Sequence, residues 1–509
     1  MKAEITPNEG EKPIFSEEQI LKEFTLKEGD VYSEASFEEG IARIQKVYLD
    51  RGRVSARITP GRDFKAEEEI VDISFSISEG GPAYIEGVPI NWISDTSDEP
   101  HKTKEYVIRR ELDRFDIKKG RVFSYQNIED ARRKILTLGP FIKRAQPRLA
   151  LEQNSEGSER NVTVNFDVEE SRQSGMFSIA GGYGSEGGLF GALDIWDDNV
   201  FGRAWRMQLR GEIGTRERRT GLINFSTPWI FNTPTSLSLS LYSRRRSTSY
   251  YPGEEEKEET LYKDESVGAS ITIGRPLTKK LDLSVGLRDE NVSYKELMAE
   301  DVWKQTYKGK TRSIKLLLDR DTRNYLTSMF DPNSGSYNNV SAEYSGFGGD
   351  KFQKYIAESS LFVPTWWKLV LVFHLQTGYI TGESIRKLRL ERFYLGGIDS
   401  VRGYEPYSIT PSGGYEKYGG NQMMQFNAEY RFPITDMLRG IIFFDAGQTW
   451  ADNEQPWKNF KPRKSIGIGI RLDLLGALAR FEYGFPLDPA KEGEKVKGGS
   501  LQWSIGPAF

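Results

Sequence analysis

From about residue 176 to the C-terminus, apolar and polar residues alternate in one short run after another. Period-two alternation over four to eight residues is the signature of a half-buried β-strand. The runs are Met176–Tyr183, Leu189–Trp196, Arg206–Ile213, Gly221–Trp229, Ser236–Tyr242, Val267–Ile273, Leu281–Arg288 and Arg312–Asp319. They continue as Ser336–Tyr344, Tyr355–Val363, Leu369–Ile380, Met423–Phe432, Gly440–Ala446, Ser465–Leu472, Ala477–Phe485 and Leu501–Phe509. This predicts about sixteen strands, the even number expected of a single-chain antiparallel barrel in a bacterial outer membrane. The connections alternate in length. Ser243–Ser266, Asp289–Thr311, 381–422, Gln448–Lys464 and Pro486–Ser500 are long, while Gly274–Lys280, Pro364–Lys368 and Pro433–Arg439 are short. Long loops at one mouth and short turns at the other suit a membrane barrel, and a soluble sandwich has no reason to segregate them.

The first third of the chain has a different period. Residues 14 to 171 read as two copies of one small α+β unit, 1–80 and 81–172, ahead of the barrel at 173–509. Gly29-Asp30-Val31-Tyr32-Ser33 and Gly120-Arg121-Val122-Phe123-Ser124 correspond, and the same offset brings Glu79 onto Glu170. Ser16-Glu17-Glu18-Gln19 is a capping-box start, with Ile20, Leu21 and Phe24 as the apolar face behind it. Ser36 is expected to open a second helix carrying Phe37, Ile41, Ile44 and Tyr48 on one face, ended by Gly52. Val71, Ile73, Phe75 and Ile77 alternate as a strand, as do Val162, Val164, Phe166 and Val168. Arg53–Ile58 and Ile142–Leu151 are the expected second strands. The second unit has an opening strand near Tyr84–Ile93; the first shows none as clear, so its sheet is expected to be incomplete.

Composition narrows the reading. Charged residues at 28% against 37% hydrophobic would suit a soluble protein, but 12% aromatic residues and 50 glycines favour many short strands. No apolar run approaches the ~18 residues of a membrane-spanning helix. A net charge of −4 offers nothing to nucleic acid, and the absence of cysteine removes disulfides and thiolate chemistry. Met1–Pro13 has no apolar core of a secretory signal and no apolar helical face. Trp196, Trp205, Trp229, Trp366, Trp367, Trp450 and Trp457 fall near expected strand ends, as interfacial girdles would. Arg244-Arg245-Arg246 and Glu254–Glu259 read as the solvated surface of one long loop. His101 and His374 are the two histidines, and Gly181-Gly182-x-Gly184 has no helix after it. Neither a hydrolase set nor a phosphate loop is visible, so no enzyme and no cofactor or metal is expected.

The longest interval between strands holds Gly396-Gly397-Ile398-Asp399-Ser400-Val401-Arg402-Gly403-Tyr404. An arginine there would be costly to bury unless a carboxylate met it, and Phe443-Phe444-Asp445-Ala446-Gly447 offers one. With these residues on the page, the chain resembles the outer-membrane assembly-factor superfamily, and within it the insertase branch. The units resemble polypeptide-transport-associated (POTRA) domains, so the fold class is tandem α+β POTRA domains followed by a transmembrane antiparallel β-barrel of about sixteen strands. Val401, Arg402, Gly403 and Tyr404 match the signature of the family's sixth extracellular loop; Phe443, Asp445 and Gly447 match one on the thirteenth strand. Asp321-Thr322-Arg323 with Asp331-Pro332-x-x-Gly335 resembles a periplasmic-turn signature, in which Asp321, Arg323, Pro332 and Gly335 stand out. Phe509 is the terminal aromatic of such barrels.

The resemblance implies a loop folded into the lumen with Arg402 against Asp445 and Phe443. It also implies a lateral gate between the first and last strands: Gly175, Phe177, Gly181 and Gly182 on one side, Leu501, Gly506, Pro507 and Phe509 on the other. Phe177 is expected to face Leu501–Ser504. Glycine weakens a strand and proline cannot donate to a ladder, so the seam is expected to be weak. The implied partners are unfolded outer-membrane barrel clients, periplasmic lipoproteins of an assembly complex, and outer-membrane lipids; the POTRA units would lie in the periplasm. The competing readings are a two-partner secretion transporter and a translocation-and-assembly-module barrel of the same superfamily.

Overall fold

The structure is a computed structural model. It describes residues 1–7, 11–65, 67, 69–93, 100–153, 160–171, 174–184, 188–215, 219–250, 259–296, 306–324, 332–384, 391–411, 419–435, 437–452, 454–456, 458–474, 477–490, 495–496 and 498–507. The chain divides into two compact units, Met1–Gly175 with Asp198–Trp205, and Met176–Asp197 with Arg206–Phe509.

The first unit opens with β1 (Lys2–Thr6), α1 (Glu17–Glu23), α2 (Glu34–Asp50), β2 (Arg57–Lys65) and β3 (Ile70–Ser78). The opening strand expected to be missing is present: β1 runs parallel to β3, in a sheet ordered β1-β3-β2. Only Ala3 and Ile5 carry its alternation, too short a pattern to stand out in sequence. Ser16 forms the capping box with Gln19. The second helix starts after Ser33 rather than at Ser36, Ser33 being the residue in extended geometry before the helical turn. Phe37, Ile44 and Tyr48 close over Ile73, Phe75 and Ile77, and Gly40 leaves space for the Phe24 ring that any β-carbon would overlap. The second strand starts at Arg57, not Arg53. Residues 51–56 form a turn in which Gly52 takes φ +78°, a left-handed geometry glycine adopts freely.

A second sheet follows, from β4 (Ala83–Gly87), β5 (Ile90–Ile93), α3 (Glu105–Arg114), α4 (Tyr125–Leu136), β6 (Ile142–Gln153) and β7 (Arg160–Glu170). Both β4 and β5 run parallel to β7, with β6 antiparallel on its other side. Val162, Val164, Phe166 and Val168 are fully buried beneath the two helices. The matched glutamates have one physical role. Glu79 accepts the Ile14 amide at 3.1 Å, and Glu170 accepts the Thr103 amide at 2.9 Å, each tying the end of its strand to the chain just before a helix.

The second unit is a closed antiparallel barrel of sixteen strands. These are β8 (Gly175–Gly184), β9 (Gly188–Val200), β10 (Trp205–Gly214), β11 (Arg219–Thr227), β12 (Ser236–Tyr250), β13 (Glu259–Thr278), β14 (Leu281–Glu296) and β15 (Thr306–Asp321). The second half is β16 (Gly335–Ser345), β17 (Phe352–Pro364), β18 (Val370–Thr381), β19 (Gln422–Pro433), β20 (Leu438–Trp450), β21 (Arg463–Leu474), β22 (Ala477–Pro486) and β23 (Ser500–Pro507). Each expected strand is present. The strands β12 to β15 are longer than their apolar runs, because polar cross-strand pairs continue the ladders. Arg244, Arg245 and Arg246 sit on β12 opposite Ser266, Glu265 and Asp264 rather than in a loop. Of the acidic run, residues 254–258 lie outside the described residues, as do Asp331, Trp457 and Phe509. Trp450 is buried and stacked on Phe460, so it belongs to no interfacial girdle, whereas Trp366 is 83% exposed in a short turn.

Candidate functional site

The connection between β18 and β19 folds back on itself. Leu395 and Ile409 bridge across it, as do Phe393 and Gly420. Phe393, Leu395, Val401, Tyr404 and Ile409 bury together against Phe352, Ile380 and Met423 of the wall. A tight reversal at Gly396 and Gly397, with φ +103° and +99°, lets the Gly397 amide reach the Tyr404 carbonyl. Arg402 is thereby held at the tip of an apolar-backed turn.

Its side chain is 3% exposed. Its Nε and one terminal nitrogen each donate to Asp445 at 2.7 Å, and its backbone amide donates to the same carboxylate at 3.0 Å. The other terminal nitrogen reaches Glu429 at 2.7 Å and Glu482 at 2.9 Å. The guanidinium lies 3.7 Å from the centre of the Phe443 ring. Arg471 joins Glu482 to Glu429, and Arg431 also holds Glu429. Three carboxylates and three guanidiniums thus neutralise one another inside the wall of β19 to β22. A planar fork that serves two directions while stacking on a ring is what arginine supplies and lysine cannot.

Gly403 and Gly447 are close-approach positions. Gly403 takes φ +89°, and a β-carbon on it would lie 2.8 Å from the backbone of Gly484 on β22. One on Gly447 would lie 2.7 Å from the Val401 side chain. The loop also grips the last strand. The Gly403 amide donates to Gln502 at 3.2 Å, Gln502 donates to the Tyr404 carbonyl at 2.6 Å, and Ser500 donates to the Gly403 carbonyl at 3.1 Å. The Tyr404 hydroxyl lies 2.8 Å from both the Lys464 and the Asp488 carbonyls, which share its one proton. At the loop's near end Glu391 pairs with Arg288 and Lys354. Burial pushes that carboxyl up, but the two cations outweigh it and hold its pKa down to about 2.

The turn after β15 is a separate cluster. Arg323 forks onto Asp321 at 2.7 and 3.0 Å and lies over Tyr337, while Pro332 is buried. Gly335, at φ +95°, passes so close to the Thr322 carbonyl that a β-carbon would overlap it. None of these residues shares a hydrogen bond or ion pair with Arg402 among the described residues. At the seam, β23 meets β8 through two residue pairs, Ser504 with Gly184 and Ile505 with Tyr183, among the described residues. The same strand meets β22 through eight, from Ser500 with Gly484 to Pro507 with Ala477. Gly175, Gly181 and Gly182 lie on β8; Gly506 and Pro507 end β23. Phe177 and Leu501 point outward, 72% and 56% exposed. They do not face one another, since continuing the seam register puts Phe177 opposite no residue of the last strand.

Sequence reasoning missed Glu429, Arg431, Arg471, Glu482, Gln502 and Asn427, the last of which donates to Asp445 at 2.8 Å. A signal was present in β19, where Gln425, Asn427, Glu429 and Arg431 alternate with Phe426, Ala428 and Tyr430. A strand with one charged face and one apolar face, in a barrel with lipid outside, points its charges into the lumen.

A sixteen-stranded closed barrel, two α/β sheets ahead of it in sequence, and a lumen loop pinned through an arginine define the class, an integral outer-membrane barrel with a POTRA-like N-terminal region. The Omp85 superfamily domain matches residues 199–509, and the POTRA family (surface antigen variable number repeat) matches residues 7–80. The chain belongs to the Omp85 superfamily. It is 25% identical to the outer membrane protein assembly factor BamA of Neisseria meningitidis, over 98% of this chain and 66% of that protein. A second BamA, from Nitratidesulfovibrio vulgaris, is 24% identical over 97% of this chain and 61% of its own length, so the chain spans less than two thirds of these relatives. The sorting and assembly machinery component 50 homolog A of Xenopus laevis is 27% identical over 80% of this chain and 88% of its own. Among solved structures, Haemophilus ducreyi BamA lacking POTRA domains 1–3 superposes with a TM-score of 0.61 at 19% identity, covering 94% of this chain and 95% of that one. CdiB from Acinetobacter baumannii shares the fold with a TM-score of 0.57 at 13% identity, covering 99% and 89%.

Proposed function

We propose that this chain is an outer-membrane protein assembly factor that folds unfolded β-barrel clients and inserts them into the bacterial outer membrane through the seam between β23 and β8. The observation that carries this reading is the imbalance around β23, among the described residues two residue pairs on the seam side against eight on the other. In hydrocarbon an unpaired backbone group is costly, so under-paired edges at the seam favour addition of a client strand. The work is a lowered insertion barrier, with no bond made or broken.

In this account Val401, Arg402, Gly403 and Tyr404, locked on Phe443, Asp445 and Gly447, brace the wall on the β20–β22 side. Gln502 and Ser500 carry that bracing to the gate strand. The turn at Asp321, Arg323, Pro332 and Gly335 fixes the periplasmic end of β15 and β16. The POTRA units, in the periplasm, offer the edge strands β2 and β6 to extended client segments or partner lipoproteins.

The test is reconstitution into liposomes and addition of an unrelated unfolded barrel protein from outside. Client folding faster than with empty liposomes supports the insertase. The competing reading within the same superfamily is a transporter for one dedicated substrate. That reading predicts no acceleration of unrelated clients.

A further inference from the structure

A groove interrupts the apolar belt on the outer wall of β8 to β13. Gly211 and Gly221 are paired across the β10/β11 ladder, and Ser243 stands opposite Gly221 on β12. A β-carbon at either glycine would meet nothing within 4 Å, so these glycines leave open space on the outward face. Leu209, Ile223 and Leu241, about half exposed, form the walls. The groove has two lobes of ≈ 620 and ≈ 900 Å³ that share Gly211, Gly221 and Ser243, and the larger reaches Arg219 and Arg245.

The two arginines are a second, independent observation. Arg219 stands directly opposite Arg245 in the β11/β12 register, and both lie on the outward face. Like charges in a directly opposed pair destabilise a ladder. Arg245 has Glu265 at 3.2 Å, while Arg219 has no acidic partner among the described residues. An anion shared by both guanidiniums would relieve that repulsion, and a phosphate accepts such forks well. The groove is therefore amphiphilic, apolar along its length and cationic at one end.

We propose that this groove binds one anionic, phosphate-bearing membrane lipid, with an acyl chain along Leu209, Ile223 and Leu241 and the phosphate between Arg219 and Arg245. The volume suits a ligand of that size. The larger lobe also touches Leu193 on β9 and Ile179 on β8, so a lipid bound there lies along the first-strand side of the barrel. The inference rests on the barrel and its lipid-facing wall, not on the insertase reading.

The experiment is native mass spectrometry of the full chain, released from mixed micelles containing phosphatidylglycerol and phosphatidylcholine in equal amounts. The parent is expected to retain phosphatidylglycerol preferentially. Arg219→Gln with Arg245→Gln is expected to cut that preference roughly tenfold, since each arginine near an anionic headgroup adds appreciably to attraction. Gly221→Leu fills the groove and is expected to lower retention of both lipids. If that variant fails to fold, shown by loss of heat-modifiable migration, the arginine pair still decides. Equal retention of the two lipids by the parent would overturn the proposal, as would an unchanged preference in the glutamine variant. A dimer mass without retained lipid would overturn it too, assigning the groove to a second copy of the chain.

Discussion

Arg402 is the residue whose removal is most informative. Arg402→Ala would leave Asp445, fully buried, and Glu482 without their shared cation, which costs about 3–5 kcal/mol for a broken buried pair. The expected result is a clear drop in the barrel's melting temperature together with slower client folding. Arg402→Lys keeps the charge but loses the fork onto Asp445 and the stack on Phe443, so it should restore only part of the loss. Gly403→Ala would force a side chain into left-handed backbone against Gly484, a strain of about 1–3 kcal/mol, read by the same melting curve. Glu391 supplies a pH test. Its pKa is depressed, to about 2, so its contribution is fully present above the ordinary carboxylate range and fades as pH falls toward 2. The stability difference between the parent and Glu391→Gln should therefore be constant from neutral pH to about 5 and shrink below about 4.5. At this scale the sequence revealed one side of the lumen contact and concealed the rest. An arginine flanked by valine and glycine in a long loop is conspicuous, whereas Glu429 and Glu482 each look like one more polar residue in an alternating strand.

Among the elements, the strand cores were legible because each carries three or more alternating positions. Their ends were not. The ladders of β12 to β15 run on through pairs such as Arg245 with Glu265, where pairing rather than hydrophobicity sustains the strand. The first strand escaped notice for the opposite reason, since two apolar residues make no visible period and parallel pairing to β3 alone defines it. A weak seam was expected from glycine and proline content, but its register was not readable, and the expected partner of Phe177 was wrong. The register makes Gly184 and Ser504 neighbours. Backbone amides of β8 should exchange with deuterium faster than those of β22, which is paired along its whole length with β21 and from Ala477 to Gly484 with β23, as pulse labelling of the reconstituted protein would read.

For the whole molecule, these pieces form one device. A closed, charge-neutral brace runs through β19 to β22 and reaches the last strand through Gln502 and Ser500, while among the described residues the other edge of that strand is held by two residue pairs. The class of molecule was legible from the alternation of strands and the alternation of loop lengths. The contact between the loop and the last strand was not, because it depends on which positions of distant strands meet. The most direct test of the account is the rate of client folding in liposomes carrying the Gly184→Cys/Ser504→Cys protein, measured before and after reduction of the disulfide. The account predicts little acceleration over empty liposomes while the seam is locked, and recovery on reduction to the rate of the unsubstituted protein. Equal acceleration in the locked and reduced states would contradict it, because clients would then be inserting without the seam.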